Sequence, residues 1–162
     1  MIRQVATALL LSATLSSGAY AAGLERKSAP QAMIASSVTV PAGTTLVFLS
    51  GTTASPIGPA NTAALAAYGN TEVQTMSIFT KMKTQLAEMG MDMGDVVKLT
   101  VFLVGDPEHG GKMDKDGLTR SYKKFFGTSD QPNLPARSAV QVAALGRPST
   151  LVEIEAIVAK AR

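Results

Sequence analysis

The chain has 162 residues, of which 46% are hydrophobic and 17% charged, a composition that suits one globular domain with a single core. Aromatic residues make up only 5% and tryptophan is absent, so a base-stacking nucleic-acid surface is not expected. The net charge of +3 comes from cations scattered along the chain, which does not support a polyanion-binding stripe. The chain has no cysteine and a single histidine, His109, so disulfides and thiolate sites are excluded and no metal site is expected.

The first residues, "MIRQVATALLLSATLSSGAYAAG", have the three-part layout of a secretory signal peptide. Arg3 supplies the basic start, residues 5–15 the apolar run, and small residues lead to a cleavage site after Ala21. The apolar run is too short to span a bilayer, although a retained N-terminal anchor is the alternative. The sequence therefore predicts a leader over residues 1–21, a single domain over 22–162, a periplasmic location, and no membrane association after cleavage.

Strand signals dominate the first part of the mature chain. Residues 22–31 are polar and are expected to be loosely ordered. Residues 34–40 and 45–50 each predict a strand, and the intervening "VPAG" has turn chemistry, so the two are expected to form a hairpin. Residues 51–70 show neither helical nor strand periodicity and predict a long loop directly after a buried strand, where binding sites are often built.

A helix is predicted over residues 71–89. Thr71 and Gln74 have the spacing of a capping box at its start, and Gly90 is expected to end it. Its apolar residues follow a spacing of three and four that predicts one buried stripe: Val73, Met76, Phe79, Met82, Leu86 and Met89.

The second half alternates strands with one further helix. Residues 96–104, 137–144 and 151–159 predict strands, and residues 105–114 form a charged, glycine-rich loop that contains His109. The helix between them is marked by three apolar residues and a closing glycine: Leu118, Tyr122, Phe125 and Gly127. This order predicts an α+β fold in which two helices pack on one face of a mixed sheet.

Three charged residues stand out against the apolar strands that carry them. In "LVEIEAIVA", Glu153 and Glu155 share one face while the alternate residues share the other. Arg137 opens the preceding strand and points the same way as Ala139 and Gln141. An arginine beside two glutamates forms either a structural ion pair or a guanidinium fork that binds a ligand carboxylate, and the residues alone leave both readings open.

Several segments resemble the RidA (YjgF) family in order and spacing. They are "LVFLSGT", "GDVVKLTVFLV", "YKKFFG", "PARSAVQVAAL" and "LVEIEA", and the likeness extends over residues 34–159. The resemblance implies a chorismate-mutase-like fold and a homotrimer with active sites in clefts between subunits. It also implies hydrolysis of reactive 2-imino and enamino acids, such as 2-iminopropanoate, to 2-oxo acids and ammonia without a metal or organic cofactor.

The same resemblance implies roles for individual residues. Arg137 would hold the substrate carboxylate in a bidentate pair, and Glu153 would position or activate the attacking water. Ser50 and Gly51 would line the pocket, and Thr119 would take the place at which active relatives often carry asparagine.

This chain departs from active relatives in ways that leave a second function open. Ser37 stands near the position at which active relatives carry a tyrosine, and Ala139 stands where they frequently carry a cysteine. Their "SGQ" is "SGT" in this chain, with Thr52 as the third residue. Tyr68 and Tyr122 are the candidates that could restore an aromatic wall. Because Arg137 is kept, the alternative is a trimeric protein that binds small carboxylate metabolites without turnover.

Overall fold

The computed structural model describes residues 23–58 and 67–160. The predicted leader and part of the predicted loop over residues 51–70 lie outside these ranges. Within the described part of the chain, no helix has both the length and the apolar character needed to cross a membrane.

The structure contains two sheets of unequal size. A small antiparallel pair is formed by β1 (Glu25–Lys27) and β2 (Ser37–Thr39). The central sheet has the strand order β3-β6-β4-β5, in which β4 and β5 are parallel and the other pairs are antiparallel. Its strands are β3 (Thr45–Thr53), β4 (Val96–Val104), β5 (Ala136–Val142) and β6 (Val152–Lys160).

Two helices cover one face of the central sheet, which confirms the predicted α+β arrangement. They are α1 (Thr71–Glu88) and α2 (Lys115–Tyr122). Phe79 of α1 packs edge-on against Tyr122 and Phe126, with ring centroids 6.3 and 5.5 Å away. The sheet contributes alternate residues of its two central strands to the same core: Leu99, Val101 and Leu103 from β4, and Val152, Ile154, Ala156 and Val158 from β6.

The start of α1 differs from the predicted capping box. Asn70 is the N-cap, because its backbone is extended and its side chain accepts a hydrogen bond from the Val73 amide at 3.2 Å. Thr71 is already the first helical residue. Gln74 instead lies buried and donates to the carbonyls of Gly69 and Ser149, each at 2.9 Å. Gly90 has a φ of 68° just after the helix, as its predicted role at the end requires.

The buried face of α1 is also rotated from the predicted stripe. Phe79, Met82 and Leu86 are buried as expected, but Val73 and Met89 are exposed. A run of residues spaced by three drifts around an α-helix, so the ends of such a stripe leave the core-facing side. Near the start of α1, polar or β-branched residues face the core instead and are buried: Thr71, Gln74, Thr75 and Ile78.

The predicted hairpin between residues 34–40 and 45–50 is wrong. β2 pairs with β1 instead of β3. β1 lies within residues 22–31, the segment that was expected to be loosely ordered. The reason is Arg26, whose guanidinium donates to the carbonyls of Gly94 at 2.7 Å, Val96 at 2.9 Å and Leu134 at 3.0 Å. These three bonds attach the N-terminal segment to the ends of distant elements, and local sequence pattern carries no sign of them.

The face of the central sheet opposite the helices has no covering element among the described residues. Leu46 and Phe48 of β3 and Val140 of β5 project from it and are 45%, 70% and 46% exposed. Large apolar side chains exposed together on a strand surface are typical of an interaction face.

Candidate functional site

The register of the sheet places Arg137 on the helix-facing side. Arg137 pairs with Leu99 on β4, which in turn pairs with Ala156 on β6, and both of these partners are buried in the core. Residues directly opposite each other in a sheet point to the same face. Glu153 and Glu155 lie out of phase with Ala156 and therefore point to the opposite face. The expectation that Arg137 stands beside the two glutamates is wrong within one protomer.

Arg137 contacts an aromatic ring instead of a carboxylate. Its Cζ lies 4.5 Å from the centroid of the Tyr122 ring, at the end of α2. In the described ranges, no carboxylate oxygen lies within 4.0 Å of the guanidinium. This arrangement is a cation–π contact at a partly desolvated position.

Part of the Arg137 guanidinium has no polar partner. Nη1 is buried and makes no hydrogen bond to the described residues. Burial lowers the pKa of Arg137, but an arginine in a protein stays protonated. A buried donor that carries charge and lacks an acceptor is costly, so the position favours an anionic acceptor supplied from outside the protomer.

Tyr122 is held neutral beneath this cation. Its hydroxyl is buried and has no hydrogen-bond partner in the described structure. Burial raises the pKa of Tyr122 to about 12, an effect that the positive charges of Arg137 and Arg26 oppose. Sequence pattern identified Tyr122 only as a core residue or a replacement aromatic wall. Its contact with Arg137 depends on how α2 docks onto the sheet, which the sequence does not signal.

The predicted residues Ser50, Gly51 and Glu153 come together at a bulge between β3 and β6. The pairing register shifts at Ser50 and Gly51, where β3 has two residues opposite the single Glu155 of β6. The carboxylate of Glu153 lies against Gly51: a Cβ built on this glycine would overlap Oε1 of Glu153 and lie 2.8 Å from its Cδ. Glycine at this position therefore allows the close approach of the carboxylate to the β3 backbone.

A shallow cleft of about 290 Å³ opens next to this bulge on the exposed face of the sheet. Its lining combines apolar, polar and charged side chains: Phe48, Ser50, Lys98, Thr100, Glu155 and Ile157. Lys98 Nζ donates to Ser138 Oγ at 2.8 Å across β4 and β5. Ser50 thus belongs to the bulge and the cleft, whereas Arg137 belongs to the other face.

The remaining predicted positions surround Arg137 only in part. Thr119 is half-buried on α2, three residues before Tyr122, and is not hydrogen-bonded to Arg137 among the described residues. Ala139 lies on the same face of β5 as Arg137 and packs against the core, paired with Val101. Ser37 is exposed in β2 and pairs with Lys27. In the described structure no hydrogen bond joins it to Arg137, although Ala35 in the same segment bridges to Ala136, next to Arg137.

His109 lies in a second cluster that the count of histidines did not reveal. Its ring stands between Asp106 and Asp114, with nitrogen–oxygen distances of 3.5 and 3.7 Å. A single histidine cannot form a metal site alone, but the structure brings two aspartates to within 4.8 Å of it.

Tyr122→Phe is expected to keep or raise the free energy of unfolding at pH 7. It retains the ring beneath Arg137 and removes a buried hydroxyl that has no partner among the described residues, and the desolvation of such a group costs about 1–3 kcal/mol. An ordinary tyrosine pKa of about 10 in the unfolded chain lies below the folded value of about 12, so wild-type stability falls as the pH rises through this window. The variant is expected to lose less stability there.

Denaturant unfolding of both proteins at pH 7 and pH 11 measures this difference. Tyr68→Phe is the matched control for alkaline effects elsewhere. A large loss of stability in Tyr122→Phe at pH 7 would show that the hydroxyl has a partner and would contradict the prediction.

Comparisons with known proteins agree with this architecture. A family model described as "Endoribonuclease L-PSP" matches residues 26–160. A RutC family protein of Pyrococcus abyssi is 37% identical over 92 residues, which make up 57% of this chain and 64% of that protein. The matched stretch therefore spans less than two thirds of that relative.

Two solved structures resemble the fold. The Rid family protein YyfB from Yersinia pestis superposes with a TM-score of 0.60 at 20% identity, covering 79% of this chain and 87% of the other. TdcF of E. coli, whose structure is described as having bound serine, gives a TM-score of 0.55 at 29% identity, covering 75% and 85%. With the family model matched over almost all of the described residues, the chain belongs to the RidA family, also called YjgF or RutC.

Proposed function

We propose that this protein hydrolyses reactive 2-imino or enamino acids to 2-oxo acids and ammonia. The observation that carries the proposal is the Arg137 guanidinium, whose buried Nη1 lacks an acceptor among the described residues. A small 2-imino acid brings a carboxylate that satisfies this fork with two parallel hydrogen bonds. The structure of the related TdcF is described as having bound serine. In serine, as in a 2-imino acid, the carboxylate is attached to the carbon that carries the nitrogen.

Apart from binding the carboxylate, the hydrolysis requires few catalytic groups. Water adds to the imine carbon, the nitrogen leaves as ammonia, and the carbon becomes the carbonyl of the 2-oxo acid. A protonated imine is already electrophilic, so the protein has to fix the carboxylate, position the water and accept its proton. Glu153 lies against Gly51, and we assign to its carboxylate the role of positioning the attacking water and accepting its proton.

A site that contains both Arg137 and Glu153 requires two copies of the chain. The residues point to opposite faces of the sheet, and β4 separates their strands. We infer a homotrimer in which the face bearing Phe48 and Val140 packs against a neighbouring copy. In that arrangement one active site contains Arg137 from one copy and Glu153 from a neighbouring copy, and each residue with its surroundings forms half of the site.

The separation of the two residues also favours a second candidate function. If no neighbour brings Glu153 to Arg137, the protein keeps a carboxylate anchor without a water-positioning group. It would then bind small carboxylate metabolites without turnover. For either function we propose export to the periplasm, on the basis of the predicted leader over residues 1–21.

Arg137→Ala is expected to weaken 2-oxo acid binding by about 2–5 kcal/mol, because the carboxylate loses a charged bidentate partner in a partly dry site. Arg137→Lys keeps the charge but not the fork and is expected to restore little binding. Calorimetric titration with a 2-oxo acid measures the affinity. Arg120→Ala is the matched control, since this arginine is exposed and pairs with Glu72. Unchanged binding in Arg137→Ala would refute the anchor.

Glu153→Gln is expected to lower turnover of a freshly generated imino acid by about 10²–10⁴-fold while 2-oxo acid affinity stays close to wild type. The amide keeps the size of the side chain but cannot accept the proton. Glu155→Gln, one pleat away on the same face, is the control and should retain activity. Equal losses of binding and turnover in Glu153→Gln would assign the residue a structural role. If the wild-type protein binds 2-oxo acids but releases no ammonia, the binding function replaces hydrolysis.

Co-expression of Arg137→Ala with Glu153→Gln tests whether one site uses two copies. In random mixed trimers, about a quarter of the intersubunit sites would combine an intact Arg137 with an intact Glu153 and regain activity. Ammonia release by the mixture, compared with each variant alone, is the measurement. A mixture that stays inactive although it contains mixed trimers would contradict the shared site.

A further inference from the structure

A cluster of three potential metal ligands lies in the connection between β4 and α2, away from Arg137 and Glu153. It consists of Asp106, His109 and Asp114, and one ligand atom from each lies within 4.8 Å of the other two. Nδ1 of His109 is 3.5 Å from Oδ2 of Asp106, and Nε2 is 3.7 Å from Oδ1 of Asp114.

The burial of the two carboxylates is the first indication that a cation belongs here. Asp106 and Asp114 are only 1% and 3% exposed. Within the described ranges, no lysine or arginine nitrogen lies within 4.0 Å of either carboxylate. Arg120 on α2 instead donates to Glu72 at 2.7 Å. Buried carboxylates are normally paired or bound to a metal ion. Among the described residues, His109 is the one side chain with an ionisable nitrogen within 4.0 Å of these two carboxylates, and backbone amides supply their other close contacts.

The hydrogen bonds at Asp106 provide a second, independent indication. Its Oδ1 accepts the Glu108 amide at 2.9 Å, but Oδ2 has only the Thr71 hydroxyl at 3.5 Å, beyond the usual range for such a bond. An almost fully buried carboxylate oxygen thus points towards His109 without a proper donor. Asp114 differs from Asp106, because its Oδ1, the oxygen that faces Nε2 of His109, also accepts the Gly117 amide at 2.8 Å.

The backbone holds His109 at this point. The His109 and Gly111 amides both donate to the Asp106 carbonyl at 3.0 Å, and the Asp106 amide donates to Lys112. Gly110 and Gly111 have φ values of 64° and 77°, a conformation that turns the chain sharply and that glycine adopts without strain. The loop is therefore organised before any ligand arrives.

We propose that Asp106, His109 and Asp114 bind one divalent transition-metal ion of the zinc class. Two carboxylate oxygens and one imidazole nitrogen form a ligand set that zinc accepts, with a further position open to water. Ligand atoms about 2.1 Å from a tetrahedral zinc lie about 3.4 Å apart. Nδ1 of His109 and Oδ2 of Asp106 are near this spacing at 3.5 Å, and because the three ligand atoms are only within 4.8 Å of one another, ion binding would draw Asp114 closer. His109 is half-exposed, so the ion has access from solvent.

Such an ion would stabilise the loop and the elements that meet there. Asp106 lies two residues after β4, Asp114 caps α2, and Thr71 begins α1. Gln141 of β5 binds the same loop, because its Oε1 accepts the Met113 amide at 2.9 Å and its Nε2 donates to the Gly111 carbonyl at 3.0 Å. The proposed role is therefore structural and does not depend on imine hydrolysis.

Zinc titration of the untagged full chain after removal of metals by a chelator tests the proposal. We expect one saturable site per chain and a rise in melting temperature on zinc addition. His109→Ala is expected to weaken zinc binding at least about 10-fold and to abolish the rise, since it removes a ligand. Glu108→Gln, which alters the exposed carboxylate next to His109, is the matched control and should bind zinc like wild type.

Two further readouts keep the result decisive. Because the chain has one histidine and no cysteine, the ring resonances of His109 should shift on zinc addition without ambiguity of assignment. Asp106→Asn keeps the acceptor for the Glu108 amide while removing a charged ligand, and it should also bind zinc more weakly. Absence of saturable binding to the wild type, or equal binding to His109→Ala, would overturn the proposal. Imine hydrolysis should be unaffected in His109→Ala, which separates this proposal from the function proposed above.

Discussion

The contact between Arg137 and the ring of Tyr122 is the interaction on which the functional interpretation depends. It places a cation from the edge strand β5 on the last residue of α2, so the docking of the helix onto the sheet determines where the charge lies. The ring stabilises the guanidinium but supplies no acceptor, and Nη1 is buried without one in the part of the chain that the structure describes. A fully paired arginine would be a structural element, whereas the incomplete pairing of Arg137 supports the proposed role as a carboxylate anchor.

The sheet register divides the functional residues between two faces. Arg137, like Leu99 and Ala156, points to the helix-facing side of the sheet. Glu153 points to the opposite side, beside the bulge at Gly51. Because strand residues alternate strictly between faces, no rotamer change brings the two side chains together in one protomer. The exposed apolar face is a physical reason to expect association, and in the proposed trimer a neighbouring copy would bring its Glu153 to Arg137.

Much of the fold followed from the sequence because its patterns are local. The β-branched run at 96–104 predicted β4 with its observed bounds, and the alternation in β6 assigned Glu153 and Ile154 to their correct faces. β1 was missed because its stability comes from Arg26 and carbonyls about seventy residues or more away. The site was only partly predictable for the same reason: which strand neighbours Arg137, and which ring lies under it, are decided by tertiary packing.

A crystal structure of the protein with a bound 2-oxo acid tests the central claim most directly. The account predicts that the ligand carboxylate accepts two hydrogen bonds from the Arg137 guanidinium, which stays over Tyr122. It also predicts that the 2-oxo group faces Glu153 of a neighbouring copy. A ligand carboxylate bound elsewhere, with Arg137 still contacting only the Tyr122 ring, would contradict the account.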